Sequence, residues 1–175
     1  MKPSPVRALA LAGVLLCLSP AVFAESVFVQ LKGYEEVPAL STPAAGSFRA
    51  EINSAAGEIA YQLSYSGLIG DVRQAHIHFG QRGINGGVSV FLCQTTFNPD
   101  PALVAPTCPQ AGTVSGIVRA SNTIGPAGQG LSAGEFNELV AAIRAGVAYV
   151  NVHSTTFPGG EVRGQLNALR NLLGF

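Results

Sequence analysis

From residue 27 onward the chain repeats one pattern: a short segment followed by a turn. The segments are rich in β-branched and aromatic residues or alternate between apolar and polar residues. The pattern is clearest at 47–52 and 58–65, where apolar and polar residues alternate and so occupy opposite faces of a strand. Similar segments lie at 27–31, 72–79, 88–93, 113–119, 147–153 and 161–166. The chain also contains 21 glycine and 11 proline residues, which interrupt helices and argue against a helical bundle. The pattern predicts an all-β fold, an antiparallel Greek-key β-sandwich of about eight strands.

One segment has helical rather than strand periodicity. Ser132 and Glu135 form a capping-box pair, and apolar residues follow at 136, 139, 140 and 143, the spacing of one helical face. Gly146 stands where a helix commonly ends in the left-handed conformation. We expect one short helix that packs on the sheets and carries no chemistry.

The first 24 residues have the pattern of a secretory signal peptide. Lys2 and Arg7 precede an apolar run from Ala8 to Leu18, and Val22 and Ala24 supply the short side chains that a signal peptidase requires. The run is shorter than the roughly 18 residues of a spanning helix, so no membrane span is predicted. We expect a signal peptide at 1–24, one domain at 25–175, and a secreted or periplasmic protein.

Charged residues are few and balanced. They make up 11% of the chain, with ten basic and ten acidic residues and a net charge of zero. A protein without a basic surface is not expected to bind nucleic acid through its phosphates. Glu35 and Glu36 are adjacent, but neighbouring strand residues point to opposite faces. We interpret this pair as solvated surface charge.

The cysteine pattern agrees with export. Cys17 lies in the predicted signal, which leaves Cys93 and Cys108, an even number for an oxidising compartment. The segment between them is rich in proline and predicts a long irregular loop. We expect a disulfide that closes this loop. A thiolate metal site is the alternative, although the close Cys-x-x-Cys spacing is missing.

The three histidines of the chain, His76, His78 and His153, all lie in predicted strands. His76 and His78 are two residues apart, so both side chains point to one face and could share a metal ion. Gln74 lies on that face too, and Tyr149 and Asn151 lie on the face of His153. Each histidine strand is followed by a glycine turn and another strand. Two such hairpins would bring the histidines together as ligands for copper or zinc. The simpler alternative is that all three are ordinary polar or hydrogen-bonded residues.

Four motifs resemble the CHRD domain, a module named from chordin. They are LKGYEEVP at 31–38, AHIHFG at 75–80, GVAYVNVHS at 146–154 and FPGGEVRGQL at 157–166. They follow the order of the family and span most of the chain after residue 24. CHRD domains occur in extracellular multidomain proteins, so the resemblance implies an extracellular module with a protein partner that is unknown.

A more distant resemblance is to copper–zinc superoxide dismutase. In that enzyme a His-x-His strand opens the copper site, and His76 and His78 are similar to it. Val152-His153 is similar to a later ligand, and Arg163 after a glycine turn is similar to an arginine that guides the anionic substrate. The resemblance implies Arg163 as a catalytic residue beside copper. A dinuclear site is not expected, because no fourth histidine and no zinc-site cluster is present.

Ligand chemistry narrows the kind of metal site. A blue-copper site needs a thiolate and usually a methionine, but Met1 is the sole methionine and both remaining cysteines are expected to pair. Three imidazoles with an open position could bind Cu(II) or Zn(II), with Glu161 or a water completing the shell. Zinc could activate a bound water, but nothing in the sequence identifies a substrate.

Three hypotheses therefore stand. The first is an exported β-sandwich that binds one metal ion, with copper favoured, through His76, His78 and His153. The second is an extracellular protein-binding or adhesion module without metal. The third is an enzyme that acts as a copper-only superoxide dismutase, in which Arg163 lies beside an open copper site.

Overall fold

This computed structural model describes residues 25–167. They form eight antiparallel strands and one α-helix. The strands are β1 (Glu25–Lys32), β2 (Ala45–Asn53), β3 (Glu58–Ser66), β4 (Val72–Phe79), β5 (Gly87–Cys93), β6 (Gly112–Val118), β7 (Ala148–Ser154) and β8 (Val162–Leu166), and the helix is α1 (Phe136–Arg144). The predicted all-β class, with about eight strands and one short helix, is confirmed. The predicted signal peptide at 1–24 lies outside the described residues and stays a prediction.

The strands form one continuous sheet in the order β5-β4-β7-β8-β1-β2-β3-β6. After β4, β5 and β6, the chain returns to place β7 beside β4, which is a Greek-key connection. The sheet curls until its end strands β5 and β6 are in contact, so it is nearly closed. The two layers of the predicted sandwich are therefore two halves of a single sheet.

Alternating side chains explain where the core lies. In β2 and β3 the apolar members of each alternation point inward, and Phe48, Ile52 and Leu63 are fully buried. In β7 the inward residues are Val150 and Val152, which pack in the same cluster. One face of the amphipathic helix α1 completes this core. Burial of these apolar surfaces is the main force that holds the sheet closed.

Helix α1 begins later than its capping-box pattern indicates. The Glu135 carboxylate accepts a hydrogen bond from the Ser132 backbone N–H at 2.6 Å, as the motif predicts. Gly134, however, has a φ of +85°, which turns the chain before the helix starts at Phe136. Gly146 has a φ of +70° and ends the helix as predicted. No helix within residues 25–167 is long and apolar enough to cross a membrane.

The predicted disulfide joins Cys93 at the end of β5 to Cys108 in the loop before β6, with 4.9 Å between their Cα atoms. Close by, the Tyr61 hydroxyl of β3 donates a hydrogen bond to the Leu92 carbonyl of β5 at 2.5 Å. Both links cross the seam between the two ends of the sheet.

Chain segments outside the sheet cover the outer face of β4, β7 and β8. The 33–44 connection is tied to this face where Thr42 Oγ1 donates to Glu161 Oε1 at 2.6 Å. The 80–86 turn is tied to the same connection where Asn85 Nδ2 donates to the Val37 carbonyl at 3.1 Å. We call residues 33–44 and 80–86 the cover. Because of the cover, every residue of β7 is buried on both faces of the sheet.

Candidate metal centre

Pairing of β4 with β7 brings the three histidines together on the outer face. His76 lies directly opposite Asn151, and His78 lies opposite Tyr149. His153 lies opposite Gln74, two pairs from the His76–Asn151 pair along the ladder. Opposed residues in an antiparallel ladder project to the same side of the sheet, so the histidines face one another under the cover. The predicted sharing of one strand face by His76 and His78, and the meeting of the two hairpins, agree with this register.

The histidine nitrogens are close enough to share one ion. One ring nitrogen from each of His76, His78 and His153 lies within 4.8 Å of the others. The shortest separation, His76 Nδ1 to His153 Nε2, is 3.0 Å. Two nitrogens on one tetrahedral ion lie about 3.3 Å apart, given metal–nitrogen bonds of about 2.0–2.1 Å. The His76–His153 pair is therefore close to that separation, and the nitrogen of His78 lies within 4.8 Å of the other two.

Backbone carbonyls fix the orientation of two of the rings. His78 Nδ1 lies 2.9 Å from the Gly86 carbonyl, and His153 Nδ1 lies 2.9 Å from the Pro158 carbonyl. A carbonyl only accepts, so each Nδ1 carries the proton and each Nε2 keeps a lone pair. The lone pair of His153 Nε2 accepts a hydrogen bond from His76 Nδ1. Metal-ligating histidines commonly donate their second ring N–H in this way. The two glycine- and proline-containing turns after β4 and β7 thus hold the imidazoles ready for a ligand.

Burial keeps the three imidazoles neutral. The exposed fractions of His76, His78 and His153 are 2%, 7% and 5%. Burial, with the neighbouring imidazoles, holds the pKa of His76 well below 6.5. Burial lowers the pKa of His78 and of His153 to about 4, although the Gly86 and Pro158 carbonyls oppose this shift. At neutral pH all three therefore offer lone pairs rather than positive charges, which is the protonation state that a metal needs.

The comparison with known families agrees with the motifs. The family model for the CHRD domain matches residues 27–166, which cover all eight strands apart from the first two residues of β1. The chain belongs to the CHRD domain family. No curated protein and no solved structure matches the chain significantly.

Arg163, for which the superoxide dismutase resemblance implies a catalytic role, is buried beneath the cover of this CHRD domain. Its side chain is 1% exposed, and its guanidinium lies 3.4 Å from the centre of the Tyr149 ring. Tyr149 in turn stacks on His78 with a ring separation of 4.7 Å and an angle of 3°. Arg163 also donates to the carbonyls of Gln81 and Ile84 in the cover, at 3.1 and 3.0 Å. In this position it supports the cover and the rings, and does not line an open surface.

Glu36 is buried, which corrects the interpretation of Glu35 and Glu36 as solvated charges. Only Glu35 is at the surface, where it forms an ion pair with Arg82. Burial raises the pKa of Glu36 to about 7, and the charge of Arg163 opposes that shift. Sequence reasoning missed Glu36 because it assumed strand geometry, whereas a 3-10 turn at Gly33–Glu35 precedes it. The position of Glu36 within the LKGYEEVP motif was the available signal.

Asn151 is a second polar residue that the sequence did not single out as functional. It is 1% exposed and lies opposite His76 on one side and Arg163 of β8 on the other. A Cβ atom at Gly160 would collide with both Asn151 Nδ2 and Glu36 Oε1, so these two polar groups both approach that glycine. The Gly160 backbone therefore leaves the room that these two side chains need.

Glu161, which the sequence offers together with water as a possible further ligand, has hydrogen-bond partners elsewhere. Its Oε1 accepts hydrogen bonds from Thr42 Oγ1 at 2.6 Å and from the Ile69 N–H at 2.8 Å. Among residues 25–167, the cluster of possible His, Cys, Asp and Glu ligands comprises the three histidines without Glu161. Glu161 instead ties the cover to the end of β8.

Proposed function

We propose that this CHRD domain is exported and binds one transition-metal ion through His76, His78 and His153, with copper favoured and zinc the alternative. The observation that carries the proposal is the convergence of three buried, neutral imidazoles, each with a ring nitrogen within 4.8 Å of the others. Burying three polar rings without a ligand is costly, and His76 Nε2 and His78 Nε2 have no hydrogen-bond partner.

The donor set favours copper. Imidazole nitrogens suit copper and zinc, and a given nitrogen site binds Cu(II) more tightly than the other divalent first-row metals. The cysteines form a disulfide, so thiolate ligation of the blue-copper kind is not part of the proposal. The Cys93–Cys108 disulfide would be stable in an oxidising compartment, which supports a secreted or periplasmic location.

Holding an ion suits this arrangement better than turnover. The histidines lie beneath the cover, and Arg163 is engaged with Tyr149 and the cover carbonyls. An anionic substrate would need an approach to the metal and a free cation to guide it. We therefore propose a store or sensor of the metal ion, and we do not extend the proposal to superoxide dismutase activity.

Metal titration of the exported, purified protein tests the proposal. We expect one equivalent of Cu(II) or Zn(II) to bind, measured by calorimetry and by competition with a chelator. His76→Gln, His78→Gln and His153→Gln together should abolish this binding, because the sequence contains no other histidine. Gln62→Ala is the control, since Gln62 is exposed on β3, which does not pair with the histidine strands. Equal, weak binding by the wild type and the triple variant would reject the metal site.

A protein-binding module remains a second candidate because of an exposed apolar loop tip. Phe97 and Leu103 are 88% and 77% exposed in the loop that the disulfide closes. The loop is rigid: the buried Asp100 carboxylate accepts N–H groups from Ala102, Val104 and Ala105. Exposed apolar side chains on an ordered loop are typical of protein-interaction sites.

Site-directed photo-cross-linking in cells tests this candidate. A photoreactive residue at Phe97 should give a discrete adduct that Leu103→Ser weakens. The same probe at the exposed residue Gln62 on β3 is the control. Equal labelling from both positions would contradict a docking role for the loop tip.

A further inference from the structure

Two buried acceptor atoms of the site lack the hydrogen-bond donor that each requires. His78 Nε2 has a free lone pair, because the His78 proton is on Nδ1, facing the Gly86 carbonyl. The Asn151 amide oxygen can only accept. Both atoms are buried without a hydrogen-bond partner. Two such acceptors under one cover indicate that a positively charged group belongs between them.

The register of the sheet places Asn151 within the histidine cluster. It precedes His153 by two residues on β7, so both side chains project from the same face. It also lies directly opposite His76 on β4.

Glu36 determines which end of the amide faces the histidines. Asn151 Nδ2 and Glu36 Oε1 both approach Gly160, because a Cβ at Gly160 would collide with each atom. A carboxylate accepts hydrogen bonds, so the amide NH₂ is the group that belongs beside it. The amide oxygen is then left on the opposite side, toward the imidazoles.

We infer that the Asn151 amide oxygen is the fourth ligand of the metal ion held by His76, His78 and His153, and that Glu36 orients it. This inference rests on the proposed function and gives the site three nitrogen donors and one oxygen donor. It explains why Asn151, Glu36 and Gly160 meet under the cover, where none of them contributes apolar packing.

The added oxygen donor predicts a preference among metal states. Amide oxygen is a harder ligand than imidazole and suits divalent ions better than the soft Cu(I) ion. Asn151 should therefore strengthen binding of Cu(II) and Zn(II) more than binding of Cu(I). A residue that only supported the fold would weaken binding of all three ions alike.

The test compares two Asn151 variants in the exported, purified protein. Asn151→Leu keeps the approximate volume and removes the oxygen, and Asn151→Asp keeps an oxygen at the same position. For Asn151→Leu we expect Cu(II) affinity to fall about 10- to 100-fold, with little change for Cu(I). Its Cu(II) electron paramagnetic resonance spectrum should also change. For Asn151→Asp we expect Cu(II) affinity to be retained or raised, with a spectrum shifted by the anionic oxygen.

The outcomes separate this inference from the proposed function. Unchanged Cu(II) affinity and spectrum in Asn151→Leu, with binding still lost in the triple histidine variant, would overturn the ligand role of Asn151 alone. If Asn151→Leu fails to fold, an unchanged spectrum in Asn151→Asp would overturn it equally. Loss of Cu(II) and Cu(I) affinity by the same factor would indicate a structural role and would also overturn it. Failure of the wild type to bind metal would reject the proposed function itself.

Discussion

The outer faces of the two halves of the sheet carry polar residues for different reasons. On β2 and β3 the outward residues, such as Arg49, Glu51 and Gln62, are exposed, and the burial pattern alternates strictly. On β7 the outward residues Tyr149 and Asn151 are buried as deeply as the inward ones. Polar side chains that stay in water carry no free-energy penalty on folding, whereas polar side chains buried beneath the cover need hydrogen-bond partners or a ligand.

The covered half does not fully satisfy its polar atoms. Of the buried side-chain atoms without a partner among residues 25–167, most belong to the histidine cluster and its surroundings: Glu36 Oε1, His76 Nε2, His78 Nε2, Asn151 Oδ1 and Glu161 Oε2. Such a concentration at one site is the pattern expected where structure is kept for a ligand rather than for stability. The comparison therefore supports the candidate site on β4, β7 and β8, and the following predictions test it.

The largest expected effect is a loss of stability in acid that originates in the covered half. In the metal-free protein, the pKa values of His78 and His153 are about 4, below the 6.5 of an unfolded chain. Between those values the unfolded chain binds protons that the folded protein does not, so acid favours unfolding. We expect each of these two histidines to lower the free energy of unfolding by about 2 kcal/mol between pH 6.5 and 4.5.

Glu36 acts in the opposite direction. Its pKa is raised from 4.5 to about 7, so its contribution is complete below pH 4.5 and is lost as the pH rises through 7. Urea unfolding with a chelator at pH 4.5, 5.5 and 6.5 measures the sum. The wild type should lose stability on acidification, and the triple histidine-to-glutamine variant should show a slope that is abolished or reversed. Identical slopes would contradict the assignment of the acid sensitivity to the histidines.

The second prediction compares one arginine from each half. Arg163→Met should lower the free energy of unfolding by about 3–5 kcal/mol, because it removes buried hydrogen bonds to the cover and the contact with Tyr149. Arg49→Met, at an exposed position of β2, should change it by less than about 0.5 kcal/mol. Denaturant unfolding at pH 7 provides both values. Similar values for the two variants would show that the cover does not depend on Arg163.

The third prediction concerns the seam that joins the two halves. Replacing Cys93 and Cys108 together by serine should cost about 3 kcal/mol, since a disulfide closing a loop of this length restricts the unfolded chain by about that amount. Tyr61→Phe, which removes only the hydrogen bond to the Leu92 carbonyl at the same seam, should cost about 1 kcal/mol. Thermal unfolding of both variants under non-reducing conditions measures the difference. A double serine variant as stable as the wild type would mean that the closed sheet does not need this link.

Much of the fold could be predicted from sequence because local patterns decide it. The alternation at 47–52 and 58–65 and the turns around them fix β2 and β3, and the period of two places His76 and His78 on one face. The disulfide followed from cysteine number and an irregular loop. The four family motifs extended the fold prediction to nearly the whole described chain, and the family model matches residues 27–166.

The cover could not be predicted, because it depends on contacts between distant segments. Glu36 and Arg163 carry no local sign that they will be buried, and their environment is set by the return of 33–44 and 80–86 over β8. The same contacts bury the Arg163 side chain, which its similarity to the superoxide dismutase motif does not indicate. Pairing of β4 with β7 was an assumption in the sequence analysis, and only the register shows that Asn151 joins the histidines.

The smallest expected effect comes from replacing one serine in each half of the sheet by alanine, which removes a hydroxyl group from each. Ser154 is fully buried, and its hydroxyl accepts the Phe157 N–H at 3.1 Å and donates to the Ile69 carbonyl at 3.3 Å. Ser154→Ala leaves both groups unpaired and should cost about 1–2 kcal/mol. The exposed Ser64 hydroxyl shares a hydrogen bond with Thr113 Oγ1 at 2.7 Å, which water can replace, so Ser64→Ala should cost less than about 0.5 kcal/mol. Urea midpoints of the two variants measure the contrast, and equal costs would mean that burial at the end of β7 does not exclude water from the Ser154 hydroxyl.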